Sequence, residues 1–299
     1  MNVPKKIILS PLRYPGGKGS FYKYLSELMN NNDIKGGKYY EPYAGGAGAA
    51  LALLSLNIAS HILLNDVDYH IYCFWKSVLN NNERFIEQIY KIPIKIDEWN
   101  KQKIIYKKPS KHSVFEVGFS TFYLNRCNHS GILEAGPIGG YKQNGKWLID
   151  ERFNKDSLIE RISEIGKHRN RIEMKNMDAI QFMKKYLPKG NERRFSFVYI
   201  DPPYIKAGEK LYLNYYTKSD HKKLAGYLLK QKELKWLVTY DDDIFIRYLY
   251  TSCQKWLYYL GYTLQTKRKG KELIIAPDWL ILPDKKKLIC KKWKINRKI

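Results

Sequence analysis

Residues 38–66 hold the feature that most constrains the fold. Lys38-Tyr39-Tyr40-Glu41 reads as a short strand, and Ala47 to Leu56 reads as a helix rich in Ala and Leu. The turn between them, Pro42-Tyr43-Ala44-Gly45-Gly46-Ala47-Gly48, consists mostly of small residues, and Ile62-Leu63-Leu64 then forms a second apolar strand ending at Asn65-Asp66. Strand, glycine turn, helix, strand and acid open a nucleotide-binding α/β unit. Small residues let the backbone pass close to a ligand. Glu41 ends its strand where it can accept from a ligand's amino group. Asp66 follows the last glycine by about 20 residues, the place for an acid on ribose hydroxyls. Any compact strand-to-helix connection also contains glycines, so the turn alone is weak. No GK[ST] follows it, which argues against a triphosphate site.

The rhythm continues with helical spacing over Ile71 to Leu79 and then changes. From about residue 80 to 170 the chain reads as Lys- and Asn-rich amphipathic helices with a polar, glycine-bearing stretch from Gly136 to Trp147, as if inserted. The α/β pattern resumes with a strand at Ile172 to Lys175, a helix from about Ala179 and the apolar strand Phe195 to Ile200. A further strand is expected at Trp236 to Thr239, and a late hairpin from Tyr262 to Gln265 and Glu272 to Ala276. Residues 281–299 form a basic tail, with Lys285, Lys286, Lys287, Lys291, Lys292 and Lys294 among its cations. The tail fits a phosphate backbone and a solvated terminus equally well.

The sharpest chemical signal is Asp201-Pro202-Pro203-Tyr204, directly after an apolar strand. In open α/β sheets ligands bind beyond the carboxyl ends of the strands. The double proline forces a rigid, extended exit. An adenine amino nitrogen is a poor nucleophile because its lone pair is delocalised into the ring. Two acceptors on its N–H groups, the Asp201 carboxylate and the Pro202 carbonyl, would orient that lone pair and stabilise developing positive charge. Tyr204 is then placed to stack on an extruded base. The alternative is a tight turn in which Asp201 caps and Tyr204 packs.

Arg13-Tyr14-Pro15-Gly16-Gly17-Lys18 is a turn able to aim Lys18 at a carboxylate, with Tyr14 packing on an adenine or sulfonium, though such turns are also common structural elements. Asp178 precedes a helix, so it suits both an N-cap and an acceptor for an adenine amino group.

Lys and Arg number 53 against 29 Asp and Glu, a formal charge of +24, which favours a polyanionic partner. A lysine-rich genome would give the same excess. The 44% hydrophobic and 14% aromatic content is that of a folded protein. Cys73, Cys127, Cys253 and Cys290 are scattered, without a C-x-x-C pair, so neither a zinc site nor a disulfide framework is expected and no metal is assigned. They follow Tyr, Arg, Ser and Ile, whereas a cytosine-ring methylase needs a cysteine nucleophile after proline. No apolar run reaches the roughly 18 residues of a membrane span. Met1 to Leu12 lacks a signal-peptide pattern, and a cytoplasmic location is expected.

Taken in order, these motifs resemble the alpha group of adenine-N6 DNA methyltransferases, the DNA adenine methylase family. P-G-G-K precedes E-P-Y-A-G-G-A-G, the acid of Leu64-Asn65-Asp66, an insertion and D-P-P-Y. The likeness extends through Leu124-Asn125-Arg126, Ser130-Gly131-Ile132, Arg152-Phe153-Asn154, Tyr240-Asp241-Asp242 and Lys269 to Leu273, from about residue 10 to 277. Tyr14 stands where the family often has tryptophan, and Arg13 where it has lysine.

The resemblance implies an α/β fold of the class I S-adenosylmethionine-dependent (Rossmann-like) type: a mostly parallel seven-stranded sheet with a final antiparallel strand. Residues 1–79 and 171–280 would form the catalytic domain and 80–170 a mainly helical target-recognition subdomain. It implies S-adenosylmethionine contacts at Tyr14, Lys18, Glu41, Tyr43, Gly45, Gly48, Asp66 and Asp178, and catalysis at Asp201, Pro202, Pro203 and Tyr204. Duplex DNA would be read near Arg126, His129, Ser130 and Ile132 and by a following hairpin carrying Tyr141, Lys142, Gln143, Asn144 and Lys146. Any surface hairpin shows such residues too. The implied activity is site-specific methylation of the adenine amino group, in a setting that includes a restriction endonuclease or other defence proteins. An RNA adenine methyltransferase and a catalytically silent DNA-binding relative are the alternatives.

Overall fold

The computed structural model describes residues 7–13, 18–205, 216–261, 269–283 and 295–298. Its strands are β1 (Gly37–Glu41), β2 (Ala59–Asn65), β3 (Ile172–Lys175), β4 (Ser196–Ile200), β5 (Lys235–Asp241), β6 (Cys253–Gly261), β7 (Lys269–Pro277) and β8 (Ile295–Lys298). β3 lies beside β2, and β1-β4-β5-β7-β6-β8 follow one another in a mixed sheet. β2 with β3, β1 with β4 and β4 with β5 are parallel, whereas β7 runs antiparallel to both β5 and β6. The expected α/β architecture is present, with eight strands among the described residues rather than seven.

The late hairpin is shifted from its expected place. Glu272 to Ala276 lies in β7, but its partner is Cys253–Gly261, a run of tryptophan, tyrosine and leucine that pairs in register from Cys253↔Pro277 to Gly261↔Lys269. Residues 262–265, expected as the first strand, lie outside the described residues, as do Tyr14 and residues 284–294 of the basic tail.

The chain divides into two compact units. One comprises Met1–Tyr22, Ala44–Leu56 and Ile62–Met177. It holds α2 (Gly48–Ser55), α3 (Tyr69–Asn80), α4 (Asn82–Lys91), α5 (Ile96–Lys107), α6 (Val114–Cys127) and α7 (Lys155–Lys167). Every residue of α2 from Ala49 to Ser55 is buried, as its Ala/Leu composition requires. α6 begins at a capping box in which Ser113 and Glu116 satisfy each other's backbone N–H groups, and α7 at an Asn154 cap. Between these helices lies an aromatic core: Phe122 stacks on Phe74 and meets Phe85 and Phe153 edge-on, with centroids 5.3 to 6.1 Å apart.

The second unit comprises Lys23–Tyr43, Asn57–His61 and Asp178–Ile299. It contains β1, β4 to β8, most of α1 (Tyr22–Asn31), α8 (Ala179–Tyr186), α9 (Lys218–Leu228) and α10 (Ile244–Leu249). β4 is buried at all five positions, and β5 from Trp236 to Tyr240, as expected of central strands covered on both faces. Among the described residues no helix is long and apolar enough to cross a membrane.

Contact between α3 and α6 depends on Gly118, where an added Cβ would lie 2.4 Å from both the Cys73 carbonyl oxygen and Ser77 Oγ. Ser77 itself donates to the Cys73 and Val114 carbonyls, so it has no room to retreat. Gly118→Ala is expected to destabilise the protein by about 1–3 kcal/mol through overpacking, measured by urea unfolding.

Candidate functional site

In the second unit, β4 delivers Asp201 at its carboxyl end. Pro202 and Pro203 have no N–H to donate, so the chain leaves the sheet extended rather than turning at once into a helix. Pro202 is buried, and Asp201, Pro203 and Tyr204 are half-buried. Asp201 Oδ1 accepts from the Thr239 hydroxyl at 2.6 Å and from the Tyr204 hydroxyl at 3.0 Å. Tyr204, expected as a stacking surface or as packing, is thus also tied to Asp201, and its ring lies 6.4 Å from that of Tyr240.

Around this strand exit the unit gathers further aromatic groups. The Tyr43 and Tyr216 hydroxyls are 2.7 Å apart, the Tyr216 ring meets His221 edge-on, and His221 Nδ1 lies 3.0 Å from the Tyr240 hydroxyl. Burial pulls the His221 pKa below its ordinary value, favouring the neutral imidazole. Glu41, the last residue of β1, is buried. Asp178 caps α8, its Oδ1 accepting from the Ile180 and Gln181 N–H groups at 3.0 Å each, and is exposed.

In the first unit the glycine turn and the acid after β2 come together. Asp66 Oδ2 accepts from the Gly45 N–H at 2.9 Å, and Oδ1 from the Asp68 N–H at 3.0 Å. Trp75 Nε1 donates to the Gly45 carbonyl at 2.9 Å and pins the turn from the other side. Burial, with Asp68 as a like-charged neighbour, pushes the Asp66 pKa up to about 7, against the opposing pull of the backbone donors. Gly48 has a packing role: an added Cβ there would lie 3.1 Å from the Gly19 Cα. Lys18, which precedes the short 3₁₀ turn Gly19–Phe21, is buried.

The expected reading segment of this unit is not a hairpin. Among residues 128–154 the only ladder contact is the Asn128↔Pro137 bridge, and three amide side chains do the work of strands. Asn125 Nδ2 donates to the Arg13 and Gly131 carbonyls, and its Oδ1 accepts from the Arg13 N–H. Asn128 donates to Ile132 and Leu133 and accepts from Trp99 Nε1. Gln143 donates to Ile138 and Gly140 and accepts from the Ile149 N–H. Gln143, expected as a possible base or phosphate contact, is therefore a structural brace. Gly131 sits at φ +75° with Arg13 backbone so close that a Cβ would meet its carbonyl oxygen at 2.6 Å.

What the segment presents outward is His129, Ser130, Tyr141, Lys142, Asn144 and Lys146, all exposed, while Ile132 is half-buried. Trp147, 52% exposed with Lys146 Nζ over its ring at 5.3 Å, joins them. Arg126 is different. Its Nε donates to the Arg152 carbonyl at 2.7 Å, and burial together with Arg13 and Arg161 lowers its pKa to about 9. Arg13 Nη1 donates to the Asn128 carbonyl and Arg161 Nη1 to that of Ser10. Sequence spacing offered no signal for Arg161 or Thr239, which reach their partners only through tertiary packing.

The described cysteines are poor nucleophiles. Burial pushes the thiols of Cys73 and Cys253 up to about 11 and that of Cys127 higher still.

The second unit carries D-P-P-Y beyond a central parallel strand, the first an acid braced against a glycine turn, and the α/β fold is that of the Rossmann-like methyltransferases. Residues 14–261 match the model of the D12 class N6 adenine-specific DNA methyltransferases, and the chain belongs to that family: it is an adenine-specific DNA methyltransferase. It is 23% identical over 226 residues to the type II methyltransferase M.MjaIII of Methanocaldococcus jannaschii, covering 70% of this chain and 73% of that protein. Among solved structures it resembles a putative RNA methyltransferase, PH1948, from Pyrococcus horikoshii (TM-score 0.38, 12% identity, 92% of this chain and 89% of that one). It also resembles the rRNA methyltransferase aviRa from Streptomyces viridochromogenes (TM-score 0.39, 11% identity, 92% and 94%). At these scores the structural likenesses carry no argument about substrate.

Gln143→Ala removes three bonds from the segment and none from the helical core. Amide exchange over residues 137–149 is expected to rise about tenfold or more, with an unchanged melting temperature, as measured by hydrogen exchange and calorimetry.

Proposed function

We propose that the protein transfers the methyl group of S-adenosylmethionine to the N6 amino group of adenine in specific sites of duplex DNA, acting on a base turned out of the helix. The observation that carries this reading is Asp201, held at the carboxyl end of β4 with its carboxylate fixed by two hydroxyl donors. When bound, the cofactor supplies an electrophilic methyl group. Asp201 and the Pro202 carbonyl accept from the amino N–H groups, directing the nitrogen lone pair and stabilising the positive charge that grows on it. Tyr204 supports the base. Asp66 fits the ribose end of the cofactor, because a carboxylate braced by two backbone N–H groups beside a small-residue turn is a fixed acceptor for hydroxyls. Tyr14, Lys18, Glu41, Tyr43, Gly45, Gly48 and Asp178 complete the proposed cofactor set.

Residues 80–170 are the proposed recognition region. Its exposed His129, Ser130, Tyr141, Lys142, Asn144 and Lys146 are suited to bases and phosphates, and the clustered guanidiniums of Arg13, Arg126 and Arg152 favour a phosphate. The type II relative supports a restriction-modification setting with a companion endonuclease, and a DNA substrate supports a cytoplasmic location.

Incubation with tritiated S-adenosylmethionine and unmethylated duplex DNA is expected to label adenine. Asp201→Ala should abolish labelling while leaving cofactor affinity within a few-fold. Retained labelling in that variant would remove Asp201 from the chemistry. Because the Asp66 pKa is raised to about 7, its acceptor form grows as pH rises through that value. Affinity for S-adenosylhomocysteine is expected to tighten from pH 6 to 8 and then level. Asp66→Ala should bind weakly and without that step in calorimetric titrations.

A further inference from the structure

We infer that Thr239 is a positioning residue for methyl transfer, the middle link of a directed hydroxyl chain from Tyr199 through Thr239 to Asp201. This rests on the proposed role of Asp201. Register dictates the arrangement. β4 and β5 pair in parallel, with Tyr199 opposite Leu237 and Ile200 opposite Val238, so the next step along both strands sets Asp201 beside Thr239. Tyr199 and Asp201 are two residues apart on one extended run and project to the same side. All three side chains therefore meet on one face.

The direction of the chain follows from counting protons. Thr239 Oγ1 lies 2.6 Å from Asp201 Oδ1 and 2.9 Å from the Tyr199 hydroxyl. A threonine hydroxyl has one proton, and an ionised carboxylate only accepts. Thr239 therefore donates to Asp201, and Tyr199 must donate to Thr239. Tyr199 and Thr239 are both completely buried, so bulk water does not compete for these bonds. A hydroxyl bond to an ionised acceptor is short and strong, and it fixes the carboxylate's rotation about its χ angles. Tyr204 donates to the same oxygen from the opposite end of the motif.

The consequence is kinetic. Amino-group activation needs the carboxylate in one orientation when positive charge develops, and an Asp201 without its Thr239 donor loses part of that preorganisation without losing substrate.

Thr239→Val keeps the shape and removes the donor. Its kcat is expected to fall about ten- to a hundredfold, the size of one hydrogen bond to a charged group. KM for DNA and for S-adenosylmethionine should stay within about threefold. Thr239→Ser should recover most of the loss. Tyr199→Phe should lower kcat less, and its effect should vanish in the Thr239→Val background, because the chain is already cut. Wild-type kcat in Thr239→Val while Asp201→Ala is inactive would overturn the inference and leave the role of Asp201 standing; activity in Asp201→Ala would remove the reading beneath both. Should Thr239→Val fail to fold, as judged by melting temperature and cofactor binding, Tyr199→Phe decides: unchanged kcat overturns the chain, and a fall in kcat at constant KM supports it.

Discussion

The parallel registration of β4 against β5 is the interaction on which the chemistry of the second unit depends. It is set by apolar side chains remote from any ligand: Phe197, Val198 and Ile200 on one strand, Trp236, Leu237 and Val238 on the other, all buried. A slip of one residue would send each of these to the opposite face of the sheet, out of the packing it fits, and carry Asp201 away from Thr239. Hydrophobic burial thus decides where a carboxylate stands. The two prolines then hold the strand's exit extended.

The first unit solves a different problem, that of holding an irregular surface segment without a ladder of its own. Helices α3 and α6, packed through Phe74 and Phe122 with Phe153 of the segment set against them, provide a floor. Asn125 and Asn128, at the end of α6, reach from that floor to the backbone above it. Their amides bond to carbonyls that would otherwise be left unsatisfied in a turn-rich stretch, which explains why the stretch needs no strands. The arginines nearby are likewise committed to backbone carbonyls, so their guanidiniums are held in place despite mutual repulsion.

How much of this was legible beforehand depended on whether a feature is local. The strand, glycine turn and helix around Gly45, and the strand ending at Ile200, announce themselves through composition and punctuation, and they stand close to where the pattern puts them. The bracing of Asp66 by Gly45 follows from the same unit. The eighth strand and the partner of β7 were not legible, because Cys253–Gly261 has no alternation to mark it as a strand. Gln143 looked like any polar residue on a surface loop. Only coordinates reveal that its amide faces inward. Thr239 was visible merely as the end of a strand, since its proximity to Asp201 exists only once two distant segments are paired.

Because the amide braces of the segment from Asn128 to Ile149 grip main-chain atoms, its path is indifferent to most of the side chains along it. Lys142, Asn144, Lys146 and Trp147 can be exchanged by mutation without loosening the frame. Whatever surface they meet, this part of the protein is free to diverge while Asn125, Asn128, Gln143 and Gly131 stay put. Descendants of one ancestor can then differ here in nearly every exposed residue and still share the same contour.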